Sequence, residues 1–392
     1  MDGYRWADNF AIEWLGMQNR REFLTAAGAA LAQILATKAD AAPAGAPGEW
    51  RNRQSGVAYR RLGRTGYMIS EVIMGGNTIA PDNYEHVLEA LDMGLNYLDT
   101  APAYGRGRSE AGYAKVMKAR PRDKFFLNTK VSLWDINRGK LYKEIYASLS
   151  EPEKTKIDTE VTEEIERSGA FAPDYVCDYF DGQRPELPEA TRANVMEKRY
   201  GRQIDRGKNY RQLILDSVDE SLRRIGTDHL DLLMCPHGAS TAYELVNYPE
   251  IFEAFETLKK SGKVRNLGVS AHTNPAAILR AAVKAGRYSV AMVAYNVVNH
   301  RYVDEAVAEA AKADLGVIAM KVARPVFSGR KNGKPDDPAR VQLADAAVPG
   351  PMKVPHKAYI WALRNPRVSA VNSEMVNAQM VRENLPLAAA KG

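Results

Sequence analysis

Cysteine is nearly missing from this chain, with two in 392 residues, Cys177 and Cys235. Two thiols do not make a disulfide framework, so a buried core must hold the fold. Cys235 lies in an apolar run and reads as part of that core. A dense block of one charge is also missing. Lys and Arg total 54 against 48 Asp and Glu, a net of +6. A mild, scattered basic excess gives no nucleic-acid footprint. The apolar stretch near the N-terminus, residues 25–37, is shorter than the ~20 residues that cross a bilayer, so it gives no stable membrane span. Gly75-Gly76 and Gly105-x-Gly107 lack the G-x-G-x-x-G spacing, which weakens an open dinucleotide-binding sheet. The His-Glu-x-x-His spacing of a metal site is missing too, so a metal is not expected.

What is there begins with a 45% hydrophobic chain, enough for one large domain or two small ones. The N-terminus differs in kind from the rest. Asn19-Arg20-Arg21-Glu22-Phe23-Leu24 precedes the uncharged stretch, and Ala39-Asp40-Ala41 offers a small-x-small exit. A basic start, a short apolar core and a small-residue end describe a secretory signal over residues 1–41. The paired arginines resemble a twin-arginine signal, with Asn19 where Ser or Thr is usual. That predicts twin-arginine export machinery as a partner and a periplasmic or exported protein, against a cytoplasmic alternative. Residues 42–57, rich in Ala, Pro and Gly, read as a linker.

From residue 58 the pattern alternates strand and helix. Residues 59–70 read as a hairpin turning at Arg64-Thr65-Gly66. Strands follow at 72–74, 95–99, 125–130, 230–235, 264–270, 290–295, 316–321 and 368–371, each followed by a helical pattern. Eight buried strands with amphipathic helices predict an α/β fold, a closed (β/α)8 TIM barrel with an N-terminal β-hairpin. One long insertion, about 135–208, follows the third strand, and residues 386–392 form a tail. A helix is expected within 135–149. The charged remainder, with Phe171, Tyr175, Tyr179 and Phe180, reads equally as a substrate-shaping lid or as a surface elaboration.

Asp99, Tyr104, Lys130 and His237 fall just past the ends of the second, third and fourth strands, where a parallel barrel places its site. Reducing a carbonyl needs a hydride at carbon and a proton at oxygen. A phenol supplies the proton, but its ordinary pKa is about 10. A nearby ammonium favours phenolate, and Lys130 is the candidate, held by Asp99. His237 orients the carbonyl oxygen. No side chain donates hydride, so a nicotinamide cofactor is implied.

These residues sit in motifs that resemble the aldo/keto reductase family. They include Tyr59-Arg60-Arg61-Leu62-Gly63-Arg64-Thr65-Gly66, Asp99-Thr100-Ala101-x-x-Tyr104-Gly105-x-x-x-Ser109-Glu110 and Asn128-Thr129-Lys130. Further along come Ser221-Leu222-Arg223-Arg224-Ile225, Asp228-His229-Leu230-Asp231-Leu232 and His237, then Lys263-Val264-Arg265-Asn266-Leu267-Gly268-Val269-Ser270. Tyr295-Asn296 and Glu383-Asn384 complete the series. The resemblance covers residues 58–130 and 209–385. It implies a barrel enzyme using NADP or NAD on a small-molecule carbonyl or alcohol, with Tyr104 as acid, Lys130 and Asp99 tuning it, and His237 positioning the substrate.

The cofactor contacts depart from the family more than the proton chemistry does. Ser270 is kept, but Ala271 stands where Asn is usual, and Met292 where Gln is usual. Met320 takes the place of an aromatic that stacks on nicotinamide, a contact a thioether also makes. Glu374, Met375 and Met380 replace the Lys, Ser and Arg of members that select a 2′-phosphate, which tilts the reading towards NAD. Lys321 and Arg324 are candidates for the pyrophosphate, Asn296 for the nicotinamide end, and Glu383 and Asn384 for the adenine. His272 and His300, past the fifth and sixth strands, are candidates for contacting a sugar-like substrate. An exported enzyme must keep its cofactor tightly bound and recycle it in place. A non-enzymatic nucleotide-binding sensor on the same barrel is the alternative, and a metal-dependent barrel hydrolase a weaker third.

Overall fold

The structure, a computed structural model, describes residues 48–133, 139–172, 174–176, 179–180, 183–327 and 337–390. The proposed signal, the start of the linker, Cys177 and part of the insertion therefore lie outside the described residues.

Eight parallel strands close into a barrel: β4 (Val72–Met74), β5 (Tyr97–Asp99), β6 (Phe126–Lys130), β7 (Leu230–Met234), β8 (Val264–Ala271), β9 (Val290–Ala294), β10 (Gly316–Met320) and β11 (Ala370–Ser373). β11 pairs with β4 to complete the ring. Near-continuous apolar runs form these strands because both faces are covered, by helices outside and by side chains inside. Every residue of β4, β5, β6, β7, β9 and β10 is buried. The interior is filled by Ile73, Tyr97, Phe126, Leu232, Met234 and Met292, among others.

The floor is built from three short strands: β1 (Glu49–Trp50), β2 (Tyr59–Arg61) and β3 (Tyr67–Ser70). β2 and β3 are the expected hairpin. Their turn is tight because a Cβ at Gly63, with φ +45°, would lie 2.1 Å from the Gly316 nitrogen. Tyr67 stacks on Phe126 at 4.3 Å and plugs the barrel from below. The stretch read as a linker is, from residue 48, part of this floor. β1 pairs with β3, Arg51 bonds the Phe125 carbonyl at 2.7 Å and Asp231 at 2.9 Å, and Asn52 bonds the Leu95 carbonyl at 3.0 Å.

Among the described residues the insertion contains three α-helices, Gly139–Ser148, Glu151–Ser168 and Glu186–Tyr200. The middle one starts at a capping box, Ser150 with Glu153, and stops at left-handed Gly169. The sequence expectation reached only the first helix. The second buries just Ile157 and Val161, so its apolar stripe is too thin to stand out. These helices share a small core of Tyr142, Ile157, Val161, Ala193, Val195 and Met196. A further unanticipated helix, Pro338–Ala347, precedes the one at Val354–Arg364.

Candidate active site

The strand ends bring the four predicted side chains to one mouth of the barrel. Asp99 closes β5 and Lys130 closes the adjacent β6, and each is 1% exposed. The Lys130 ammonium donates to Asp99 Oδ1 at 2.5 Å and to the Thr100 carbonyl at 2.8 Å. Asp99 also accepts from the amide of Asn128 and, at 3.4 Å, from that of Asn372. Lys130 Nζ lies 4.5 Å from the centre of the Tyr104 ring. His237, just past β7 and after a cis Cys235–Pro236 bond, meets Tyr104 edge-on at 5.9 Å.

The surrounding motif residues hold this geometry. The Ser109 hydroxyl donates to the Gly76 carbonyl at 2.7 Å and lies 2.6 Å from that of Thr100. A Cβ at Gly76 would fall 2.0 Å from the Asp99 carbonyl, so only glycine lets the loop after β4 close on β5. Glu110 accepts from the Thr129 hydroxyl at 2.7 Å and pairs with Arg224. The acidic motif residue is thus a brace between β6 and the outer helices.

Electrostatics at the mouth follow from burial. Burial pushes the Asp99 carboxyl up, against the pull of Lys130. It pushes the Lys130 ammonium down, against Asp99 and Glu110. Burial, with the negative charges of Asp99 and Glu374, holds the Tyr104 phenol well above its ordinary value. The direction is opposite to the lowering expected from the ammonium. Burial, with the positive charges of Lys130 and Lys321, takes the His237 imidazole down to about 3. At neutral pH the mouth holds a protonated phenol and a neutral imidazole.

The other predicted residues divide into groups. Glu383 and Asn384 line a pocket of about 520 Å³ with Phe327, Lys353, His356 and Tyr359. Met380, placed by the sequence near the 2′-phosphate, lines it too. Glu383 is ion-paired to Lys353 at 2.7 Å, and Asn384 donates to Ser373 at 3.0 Å. Met320 and Met292 belong to the barrel interior beneath the mouth. The Ser270 hydroxyl accepts from the Gly238 N–H at 3.3 Å. Asn296 is spent locally: its Oδ1 accepts from the Asn299 N–H at 2.9 Å and its amide donates to Tyr179 at 3.0 Å. Arg324 donates to the Tyr179 carbonyl at 2.8 Å. Lys321 has a left-handed backbone, φ +56°, and its ammonium sits 5.4 Å from the Phe180 ring. His272 meets the same ring at 5.1 Å. His300 is drawn aside, 2.7 Å from Asp304 and against Trp361. Among the described residues no group of three or more His, Cys, Asp or Glu is placed to hold a metal ion.

Sequence reasoning missed what Tyr179 does. Its hydroxyl accepts from both Asn296 and Asn299, at 3.0 and 2.8 Å, and Val176 and Tyr179 pack on Ala294 of β9. The Tyr175 hydroxyl donates to the Thr273 carbonyl at 3.2 Å. This part of the insertion is a strap fastened over the ends of β8, β9 and β10. Its aromatic cluster was the only sequence signal, and it named no partner.

The profile of the Aldo/keto reductase family matches residues 71–204 and 203–390. An aldo-keto reductase of Alternaria alternata is 29% identical over 231 residues, 56% of this chain and 50% of that protein, so the match spans about half its length. A D-threo-aldose 1-dehydrogenase of a Pseudomonas species is 25% identical over 62% of this chain and 60% of that protein. Among solved structures, the holo form of an aldo-keto reductase from Bacillus halodurans aligns with a TM-score of 0.56 at 22% identity, over 84% of this chain and 90% of that one. One from Klebsiella pneumoniae in complex with NADPH aligns with a TM-score of 0.50 at 17% identity, over 85% and 90%. At these identities the structural likeness establishes the barrel alone.

Tyr179→Phe removes the shared acceptor of two buried amides and is expected to cost about 1–3 kcal/mol. Denaturant unfolding reads the cost, and hydrogen exchange over residues 174–186 should show faster opening of the strap. Unchanged stability and exchange would mean the strap is held by packing alone.

Proposed function

The chain belongs to the aldo/keto reductase family, and on that premise we propose that it is a nicotinamide-dependent oxidoreductase interconverting a carbonyl and an alcohol, with Tyr104 as general acid and base. The observation that carries this reading is the meeting of Tyr104, Lys130, Asp99 and His237 at one mouth. When bound, the nicotinamide supplies or accepts the hydride. The chain's own residues handle the proton. Tyr104 gives its phenolic proton to the carbonyl oxygen. Lys130, beside the ring, offsets the charge left on the phenolate, and Asp99 keeps Lys130 in place. The neutral His237 has a ring N–H to offer the same oxygen and so fixes its direction.

The residues present fit a dinucleotide unevenly. The 520 Å³ pocket with Glu383 and Asn384 suits an adenosine. At the other end Asn296 is engaged with Tyr179, and neither Ala271 nor Met292 offers an amide. Ser270 and the thioether of Met320 are then the groups left to hold the nicotinamide. That weakness is the one observation favouring the second reading, a non-catalytic nucleotide-binding sensor. Glu374 bonds Asn77 at 3.1 Å, and its charge acts on Tyr104 and Lys321, near the reacting end. It therefore repels a 2′-phosphate less directly than its sequence position implied.

Tyr104→Phe tests the mechanism. Carbonyl reduction should fall about 10²–10⁴-fold, with the circular dichroism spectrum unchanged. A variant as fast as the parent would refute the assignment. The raised Tyr104 pKa has a signed consequence. The proton donor stays loaded above pH ~10, so reduction keeps its rate on the alkaline side. Oxidation, which needs the phenolate, should rise steadily with pH across that range. The His237 imidazole, at about 3, adds no inflection near neutrality.

The export reading rests on Arg20-Arg21 and the uncharged stretch behind them. Mass spectrometry of protein purified natively from its own cells tests it. We expect an N-terminus near Ala42 and a retained nicotinamide nucleotide. Protein that begins at Met1 and carries no nucleotide would count against both export and retention.

A further inference from the structure

We propose that Lys321 and His272, walled by Phe180 of the insertion, form a subsite for an anionic substituent of the substrate, a carboxylate close to the reacting carbonyl. This rests on the oxidoreductase reading above and adds the substrate class to it.

Three chain segments meet there. Lys321 is the first residue past β10, His272 the first past β8, and Phe180 belongs to the strap. The Lys321 ammonium lies 5.4 Å from the Phe180 ring centre, and His272 meets that ring edge-on at 5.1 Å. Phe180 is thus the shared wall between a cation and an imidazole.

Among the described residues no carboxylate is in contact with the Lys321 ammonium. The two lysines that are buried outright, unlike half-buried Lys321, have a carboxylate against them: Lys130 has Asp99 at 2.5 Å and Lys357 has Asp345 at 2.7 Å. Neither Lys321 nor His272 has a hydrogen-bond or ion-pair partner among the described residues. The carboxylates of Glu374 and Glu186 act on Lys321 only from a distance, and Arg324 and Lys130 act against them. Glu186 is turned to the Thr273 hydroxyl at 3.4 Å, and Glu374 to Asn77. A cation taken partly out of water gains from an anion placed against it, and a substrate carboxylate is such an anion.

The backbone points the same way. Lys321 holds φ +56° where glycine would be at ease. Residues in this sparsely populated region are held there by their surroundings and cluster at functional sites, though Asn52 and Asp314 share it elsewhere in the fold.

The subsite adjoins the proton-transfer group. The positive charge of Lys321 is among those that hold both His237 and His272 neutral. A neutral His272 has a ring N–H to give a carboxylate oxygen while Lys321 supplies the charge. The cofactor's pyrophosphate is the other anion that could meet this lysine. The interaction with both imidazoles, one of which meets Tyr104 edge-on, favours the substrate side.

A matched pair of ketones tests the proposal: phenylglyoxylate and its methyl ester, which differ in one negative charge. The parent should favour the acid at least tenfold in kcat/KM. Lys321→Met should lower the acid-to-ester ratio at least tenfold, and Lys321→Arg should restore most of it. An unchanged ratio in Lys321→Met overturns the proposal. So does a parallel fall for both ketones with matching loss of NADH or NADPH affinity, read by fluorescence quenching, which would assign Lys321 to the pyrophosphate. If neither ketone is reduced by the parent, calorimetric binding of phenylglyoxylate decides the subsite, and the Tyr104→Phe comparison decides the oxidoreductase reading separately. Binding that Lys321→Met abolishes supports it; binding that is absent or unaltered overturns it.

Discussion

A lysine and an aspartate buried together at the ends of neighbouring strands set the terms for the whole mouth of this barrel. At 1% exposure neither charge survives alone, so each requires the other, and the 2.5 Å contact fixes both. Replacing such a pair with apolar residues is often neutral or stabilising, so stability does not explain it. Its consequence is positional. It sets an ammonium beside the Tyr104 ring and adds a positive charge that keeps His237 neutral. The Ser109–Gly76 bond, the bare Gly76 and the Glu110–Arg224 brace all serve to keep the two strand ends in that arrangement.

The insertion after β6 reconciles two readings that the sequence left equal. Its helices behave as an elaboration, with a small core of their own. The segment between the second and third of them behaves as a cover, fastened through Tyr179 to Asn296 and Asn299. The same fastening engages one of the two side-chain N–H groups of Asn296. The same strap sets an aromatic wall, Phe180, against Lys321 and His272. Tyr104, Lys130, Asp99 and His237 stand together at the mouth, while the strap shapes what surrounds them.

How legible this was depended on the kind of signal. The barrel strands were readable to within a residue or two because a buried parallel strand must be apolar on both faces. Asp99, Lys130 and His237 were readable because a polar residue ending an apolar run is conspicuous. Residues 48–57 were misjudged because Pro and Gly composition signals a linker, while their anchoring comes from long-range bonds such as Arg51 to Asp231. The helix Glu151–Ser168 was invisible because it buries so little. The direction of the Tyr104 shift was misjudged for a related reason. The sequence shows which charge lies near, but burial has the larger effect and is a property of the fold.

The central claim is that the buried ammonium serves the phenol beside it. The most direct measurement is the single-turnover rate of hydride transfer from bound NADH or NADPH to a neutral ketone, in the parent and in Lys130→Met. The account predicts a fall of about 100-fold or more, with nucleotide affinity and fold retained. A Lys130→Met protein that transfers hydride as fast as the parent would contradict it.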